Sequence, residues 1–548
     1  MENYQNISDD EDQFSSSKGS ISNTEFEISK HNPNISKVNN KFGRRKIDKN
    51  FNWQDWSVSF AKSQLNEIHH KIMTINVEKE VIPDDYHELN KNQENVMKFL
   101  KDRVIKVKNC IEVKKRVGII QGAAGTGKSY LLKKNFNYVI KQIGQEAVVI
   151  LAPTGVAAKN VSGSTIHSFL KFGRKSNSVQ PLVGEELLAF QDEGKNLKIL
   201  LIDEYSMIGC RMMAGIEQRL RELKDSEEFF GGLIVVFFGD INQLIPVGDV
   251  PLFQSLGKDN LNNSLVERGK LLVNNFHFSF IISHNHRSTN SYYSSFLKRL
   301  SLGNCTKDDY QKVRGRMITM VKREELCQFR NAVKVCSTNA IVQEHNFEQL
   351  KGLNKPIAVI NALNNCRTSF EASDVLADGL QNVIYLAENS RVMLRRNMNV
   401  FRGLVNGAIG TIFKILYDDD KCPPALPEFI LVKFDNVSLI DVETDFVPLK
   451  AGLTSFYKNS IHCTRQQYYI SLCWAITIHR GQGIGLGKML LEVSDSDFTL
   501  GLLYVAFSRV SDLHDLILLR SITHERLNGI KNSKYYNERY KFLEWLKS

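Results

Sequence analysis

Val117-Gly118-Ile119-Ile120-Gln121 runs directly into Gly122-Ala123-Ala124-Gly125-Thr126-Gly127-Lys128-Ser129, and residues Lys128 to Val139 then follow helical spacing. An apolar strand, a glycine-rich turn and a helix in that order fit GxxxxGK[ST] in the context that gives the pattern meaning. Glycines let backbone N–H groups wrap phosphates at a helix N-terminus. Lys128 neutralises the β- and γ-phosphates, and the Ser129 hydroxyl can ligate Mg²⁺. The stretch decides the fold class, which is α/β with a phosphate-binding loop at the end of a buried strand.

The same alternation continues outward. Ala147 to Leu151, Lys198 to Ile202 and Leu233 to Phe238 are β-rich runs ending at Gly, Pro or Asp, and Arg211 to Lys224 has helical spacing. Strands alternating with helices imply a parallel sheet covered on both faces. Val333 to Ser337, Tyr468 to Trp474 and Lys488 to Val493 repeat that character in the second half. Ala408 to Leu453 differs: Gly410 to Tyr417 and Glu428 to Phe434 are β-prone and separated by turn signals, which predicts a small β insertion. Residues 1–84 are Ser-, Asn- and acid-rich. They read as a disordered or weakly structured tail with one short helix around Phe60 to Met73.

The 548 residues carry 71 Lys and Arg against 60 Asp and Glu, an excess of eleven positive charges that favours a polyanionic partner. The nine cysteines are scattered without a CxxC pair, against a disulfide framework or structural zinc site. No apolar run approaches membrane-spanning length, and the acidic start around Asp9 to Asp12 is unlike a signal peptide. A soluble intracellular protein is expected. The basic cluster Lys41, Arg44, Arg45, Lys46 fits a nuclear import signal or a nucleic-acid arm; the nucleus is favoured, with mitochondrion or a viral replication site as alternatives.

A phosphate loop needs an acidic strand end, and Lys198-Ile-Leu-Leu-Ile-Asp203-Glu204 provides it. Asp203 would hold Mg²⁺, and Glu204 would orient and deprotonate the attacking water. The glutamate points to hydrolysis of ATP rather than to a small-molecule kinase. Phe237-Phe238-Gly239-Asp240-Ile-Asn-Gln243 ends a further strand in an amide-bearing loop. Thr154-Gly155, and His167 with Phe169, follow the second strand.

Taken with these residues, the order of motifs resembles the petite integration frequency (PIF) family of superfamily-one DNA helicases, relatives of the RecD helicases, from about Leu89 to Leu518. Leu89-Asn-Lys-Asn-Gln93 looks like its adenine-reading motif. Glu204-Tyr-Ser206-Met207 with Phe230-Gly231-Gly232, Asn285-His286-Arg287-Ser288, Val392 to Asn397, Gly403 to Gly407, Cys473 to Gly483 and Tyr504 to Val510 match in sequence. Arg480-Gly481 stands where the family usually shows Lys-Ser.

The resemblance implies two RecA-like P-loop motor domains, residues 85–275 and 276–548. The first would carry a small insertion near 170–195, and an SH3-like insertion at about 403–464 would interrupt the second. Arg287 and Arg509 would reach the γ-phosphate across the cleft, with Gln243 and Gln482 (beside Gly483) as γ-phosphate or interdomain sensors. Thr154, Gly155, His167, Phe169, Thr477 and His479 would contact DNA. ATP and Mg²⁺ are the implied cofactors, and single-stranded and tailed duplex DNA the partners of a monomer or weak oligomer. The implied activity is 5′→3′ translocation and unwinding in repair, recombination and telomere maintenance. A strand-stimulated translocase on RNA or DNA without unwinding, or a weakly catalytic DNA-binding scaffold, is the alternative.

Overall fold

Six strands in the first half pair in parallel: β1 (Val117–Gly122), β2 (Val148–Ala152), β3 (Ser164–Thr165), β4 (Ile199–Ile202), β5 (Ile234–Gly239) and β6 (Phe278–Ile282). Their order is β3-β2-β4-β5-β1-β6. This computed structural model describes residues 42–547 except 57, 75–87, 173–179, 256–263, 285, 287–289, 375, 400, 401, 436, 438, 440, 460 and 494–498. Every residue of β1, β4 and β5 is buried. That is the condition under which an all-parallel sheet carries near-continuous apolar runs, because helices cover both faces. One face packs under the helices Lys91–Lys108 and Lys128–Ile143, and the other under Cys210–Lys224 and Ser264–Asn274.

The topology places the site. With β5 between β1 and β4, the loops that follow these three strands lie side by side, and they carry the phosphate loop, Asp240–Gln243 and Asp203–Glu204. Ligands of open α/β sheets bind at this carboxyl edge.

A second parallel sheet has the order β18-β7-β19-β20, from β7 (Val333–Cys336), β18 (Ala475–Thr477), β19 (Met489–Glu492) and β20 (Leu516–Leu518). Tyr468 to Trp474, expected to join it, does not. Residues 470–472 instead form β17, antiparallel to β11 (Arg391–Leu394). The parallel strand starts only at Ala475, where Asn346 Oδ1 accepts the backbone N–H groups of Trp474 and Ala475, both at 2.8 Å. One apolar run thus serves two sheets, and periodicity cannot show the switch.

The β insertion is also wider than expected. Antiparallel strands run from β8 (Ala358–Asn361) through β17 (Ile470–Leu472) rather than from about 403 to 464. Its main sheet has the order β14-β13-β12-β11-β17, with β12 (Ile409–Leu416), β13 (Phe429–Phe434) and β14 (Val447–Leu449) at its centre and edge. The flanking strands escape the sequence reading because they are only two to four residues long between polar turns.

The short helix expected around Phe60 to Met73 is present as Lys62–Thr74, and the expectation of a tail to residue 84 is corrected for the described residues of 42–74, which are folded; residues 1–41 and 75–84 lie outside the described ones. Phe42 is buried with Leu350, Ile357 and Ala387. Asp48, paired with Arg45 at 2.6 Å, also accepts the Ile357 N–H at 2.9 Å. The helix Lys62–Thr74 buries Leu65 against Leu416, Phe429 and Leu431, and Ile72 against the core of the insertion. Arg45 of the basic cluster is therefore part of a structural contact. No described helix is long and apolar enough to cross a membrane.

Because Ile72 is fully buried, Ile72→Ala should weaken this docking by about 2–4 kcal/mol. Amide exchange over residues 62–74 should accelerate while exchange in β1, β4 and β5 stays unchanged.

Candidate active site

The loop between β1 and the helix Lys128–Ile143 turns through left-handed glycines at Gly125 (φ 81°) and Gly127 (φ 77°), a conformation open to residues without Cβ. Ala123, Ala124 and Thr126 complete it, and the Thr126 hydroxyl donates to Ala123 O at 2.9 Å. Lys128 Nζ folds back onto the carbonyls of Gly122 (2.8 Å) and Ala123 (3.0 Å). A buried ammonium at the mouth of a helix N-terminus is a fitting cradle for a triphosphate. Gln93 supports the loop from the side, donating through Nε2 to Thr126 O at 3.1 Å while Oε1 accepts the Asn90 N–H. Glu88, Gln93, Gly127, Tyr130 and His286 line a cavity of about 390 Å³ beside it. His286 is tied in by its backbone N–H to Gly125 O and by its ring to Asn90.

Across the sheet edge, the Ser129 hydroxyl donates to Asp203 Oδ2 at 3.1 Å. This hydroxyl–carboxylate pair fits the donor set of a phosphate-bound Mg²⁺. Burial first, and Glu204 next to it second, push the Asp203 carboxyl well above the usual range, with Lys128 opposing. Glu204 itself has φ 54°, a left-handed conformation that costs a non-glycine residue energy and recurs at functional sites. Its Oε2 is buried without a hydrogen-bond partner, as is Ser206 Oγ. An unpaired carboxylate oxygen at that position can accept a proton from a water aligned on the γ-phosphate.

The third loop joins the two halves of the molecule. Asp240 is fully buried, accepting from Gln121 Nε2 at 2.9 Å and from the Tyr504 hydroxyl at 2.6 Å. The Tyr504 oxygen in turn accepts the N–H of Ala124, inside the phosphate loop, at 2.9 Å. Tyr205 donates to Gln121 Oε1, which also takes the Ile241 N–H. Gln482 Nε2, from the loop after β18, donates to Gln243 Oε1 at 3.1 Å. Gly483 O accepts from Asn160 of the first domain at 3.0 Å. The two expected sensor amides are therefore hydrogen-bonded to each other across the cleft.

Other expected residues lie at different distances from this centre. Arg509 is buried and folded onto its own domain, donating to Val505 O (2.9 Å), Ser508 Oγ (2.7 Å) and Gly481 O (3.4 Å). Arg287 lies outside the described residues. Thr154 caps the helix Gly155–Asn160 by accepting the Ala157 N–H. A Cβ on Gly155 would stand 2.0 Å from Asn397 Oδ1, so this turn abuts the second domain directly. Thr477 is buried, and the Arg480 N–H points to its hydroxyl at 3.4 Å. His167 and His479 are exposed. Phe169, expected to stack on a base, is half-buried against the first domain's core, which uses part of its surface for packing. Gln121, Tyr205, Asp240 and Tyr504 emerge as site residues only in three dimensions. Each sits inside a quoted motif, but nothing in their spacing marks them.

Two parallel-sheet domains that meet over one glycine-rich strand-to-helix loop make up a two-domain P-loop fold. The family described as PIF1-like helicase matches residues 88–311. The ATP-dependent DNA helicase PIF1 of Xenopus laevis is 28% identical over 407 residues, covering 72% of this chain and 57% of its own length. The chain thus spans little more than half of the curated relatives it matches. A solved structure titled for DNA unwinding at forked duplex by two coordinating Pif1 helicases has TM-score 0.64 at 22% identity. It covers 84% of this chain and 98% of that one. Pif1 from Bacteroides, solved with ADP-AlF3 and single-stranded DNA, gives 0.59 at 22% identity over 81% and 97%. Over residues 88–311 the chain is thus similar to the PIF1-like helicases.

Tyr504→Phe removes the hydroxyl that holds both Asp240 and the Ala124 N–H. ATP turnover should fall about tenfold, and the thermal midpoint should drop as well, because stranding a buried polar group costs about 1–3 kcal/mol. Turnover and nucleotide affinity measured side by side check it.

Proposed function

We propose that this chain is an ATP-dependent DNA helicase that moves 5′→3′ along single-stranded DNA and strips the paired strand. The observation that carries the reading is the Tyr504 hydroxyl seated on the Ala124 N–H. A residue of one parallel-sheet domain touches the phosphate loop of the other, so nucleotide chemistry and domain closure share a contact. In this reading Gly122 to Ser129 wrap the triphosphate, and Lys128 leaves the Gly122 and Ala123 carbonyls to meet the β- and γ-phosphates. Ser129 and Asp203 would hold Mg²⁺, which supplies charge neutralisation between the phosphate oxygens. Glu204 takes the proton of the attacking water. Arg509 swings from its own domain toward the γ-phosphate as the cleft tightens, joined by Arg287, and the Gln243–Gln482 bond reports closure.

The strand would cross the tops of both domains, over Thr154, Gly155 and His167 on one side and Thr477 and His479 on the other. Phosphate contacts there come from backbone N–H groups, hydroxyls and imidazoles, with Phe169 offering the free part of its ring. Closing and opening of the Gly155–Asn397 contact then alternates the grip on DNA. The Lys-to-Arg change at Arg480 keeps the positive charge beside the strand. Work on genomic DNA in repair, recombination and telomere maintenance follows from the family. The basic residues around Arg44 favour a nuclear address.

Wild type and Lys128→Ala are compared on duplexes with a 5′ or a 3′ single-stranded tail. Wild type should unwind the 5′-tailed duplex only, and Lys128→Ala should lose about a hundredfold or more in ATP turnover together with all unwinding. Unwinding from the 3′ tail alone, or activity indifferent to Lys128, would contradict the proposal. DNA-stimulated hydrolysis without unwinding would leave a translocase in its place.

A further inference from the structure

The C-terminal helix Tyr536–Trp545 follows the last strand of the second domain, yet its apolar face lies on the first. Phe542 and Leu546 are buried in the core that holds β1, β4 and β5, and Ile530, Tyr535 and Leu543 pack beside them. The Ser279 hydroxyl donates to Leu546 O at 2.7 Å, and Glu538 Oε1 accepts the Ser255 N–H at 3.0 Å. The same helix keeps hold of the second domain through Tyr536, whose hydroxyl donates to Leu302 O at 3.3 Å. It therefore contacts both domains.

At its centre is Arg539, only 2% exposed. One guanidinium nitrogen donates to Asn242 O (3.4 Å) in the first domain, the other to Ser301 O (3.1 Å) in the second. Burial lowers its pKa to about 10, with Asp240, Tyr536 and Tyr504 acting in the opposite direction. A cation removed from water this completely needs charged and polar company, and what surrounds it is the loop that carries Asp240 and Gln243. Gly501 meets that loop from the second domain as well. At φ 81°, a Cβ there would stand 2.5 Å from Gln243 O and 2.8 Å from Asn242 O.

We propose that Arg539 is a positioning residue for the nucleotide site. From a helix beyond the shared motifs, it fixes the Asp240–Gln243 loop against the second domain through the Asn242 carbonyl. The C-terminal helix thereby couples the spacing of the two domains to the place where Gln243 and Asp240 act. A guanidinium suits the task because its fork of donors reaches two carbonyls on two domains at once. The catalytic consequence, though not the structural one, rests on the ATPase reading above.

The test uses full-length wild type, Arg539→Met and Arg539→Lys. Hydrogen exchange is followed without nucleotide, and ATP turnover with and without single-stranded DNA. In Arg539→Met, amides of Ile241 to Leu244 should exchange about tenfold faster, the usual effect of losing a hydrogen bond from a charged donor. Amides of 540–546 should be unchanged, since Phe542 and Leu546 still anchor the helix. The kcat should fall with the KM for ATP within about twofold, and Arg539→Lys should recover part of both effects. Unchanged exchange at Ile241 to Leu244, or acceleration spread evenly over the first domain, overturns the proposal. A wild type without ATP turnover would defeat the functional reading and leave the exchange result to decide this one.

Discussion

Asp240 is a carboxylate with no exposed surface, and its partners come from both domains. A buried carboxylate is tolerable only when hydrogen bonds or charge replace its lost water. Gln121 satisfies it from the strand that feeds the phosphate loop, and Tyr504 from the helix that ends near Arg509. Removing either partner leaves the charge under-solvated, so separation of the domains carries a free-energy cost beside the nucleotide itself. The same Tyr504 oxygen accepts a phosphate-loop N–H, which makes the loop's backbone geometry depend on where the second domain sits. The phosphate loop and the second domain are linked by hydrogen bonds a few ångströms long.

The rest of the molecule can be understood as holding those bonds in place. The parallel sheet with β5 between β1 and β4 sets three functional loops next to one another. The C-terminal helix braces the middle loop from behind. The segment 42–74 packs Phe42, Leu65 and Ile72 onto the second domain and its β insertion. Some basic residues elsewhere form surface ion pairs such as Lys106–Asp102 and Lys312–Asp308, worth little to stability. The positive excess is informative only where a cation stands at a domain face.

Much of this was legible in the sequence. The turn Gly122–Ser129 and the strand end at Asp203 could be placed because glycine-rich turns and acidic strand ends leave local signatures, and the parallel strands because full burial writes continuous apolar runs. The Asp240–Tyr504 bond was not legible: its partners are 264 positions apart, and no periodicity connects them. The belt of 42–74 was hidden for another reason. Its anchors Phe42, Trp53, Trp56, Phe60 and Leu65 are irregularly spaced among polar residues, so the stretch reads as a tail although each aromatic finds a pocket. Residues 468–474 misled in the opposite direction, since one β-rich run is divided between an antiparallel and a parallel sheet at Asn346. Arg539 gave no signal at all, because its role lies in two backbone carbonyls rather than in a motif.

A double-mutant cycle on ATP turnover, with Asp240→Asn, Tyr504→Phe and the pair together, tests whether one interdomain hydrogen bond ties closure to chemistry. Strong non-additivity is expected: the double variant should be little worse than the more damaged single one, a coupling of about 1 kcal/mol or more, as residues in one hydrogen-bond network show. Effects that simply add, within about 0.3–0.5 kcal/mol, would contradict it.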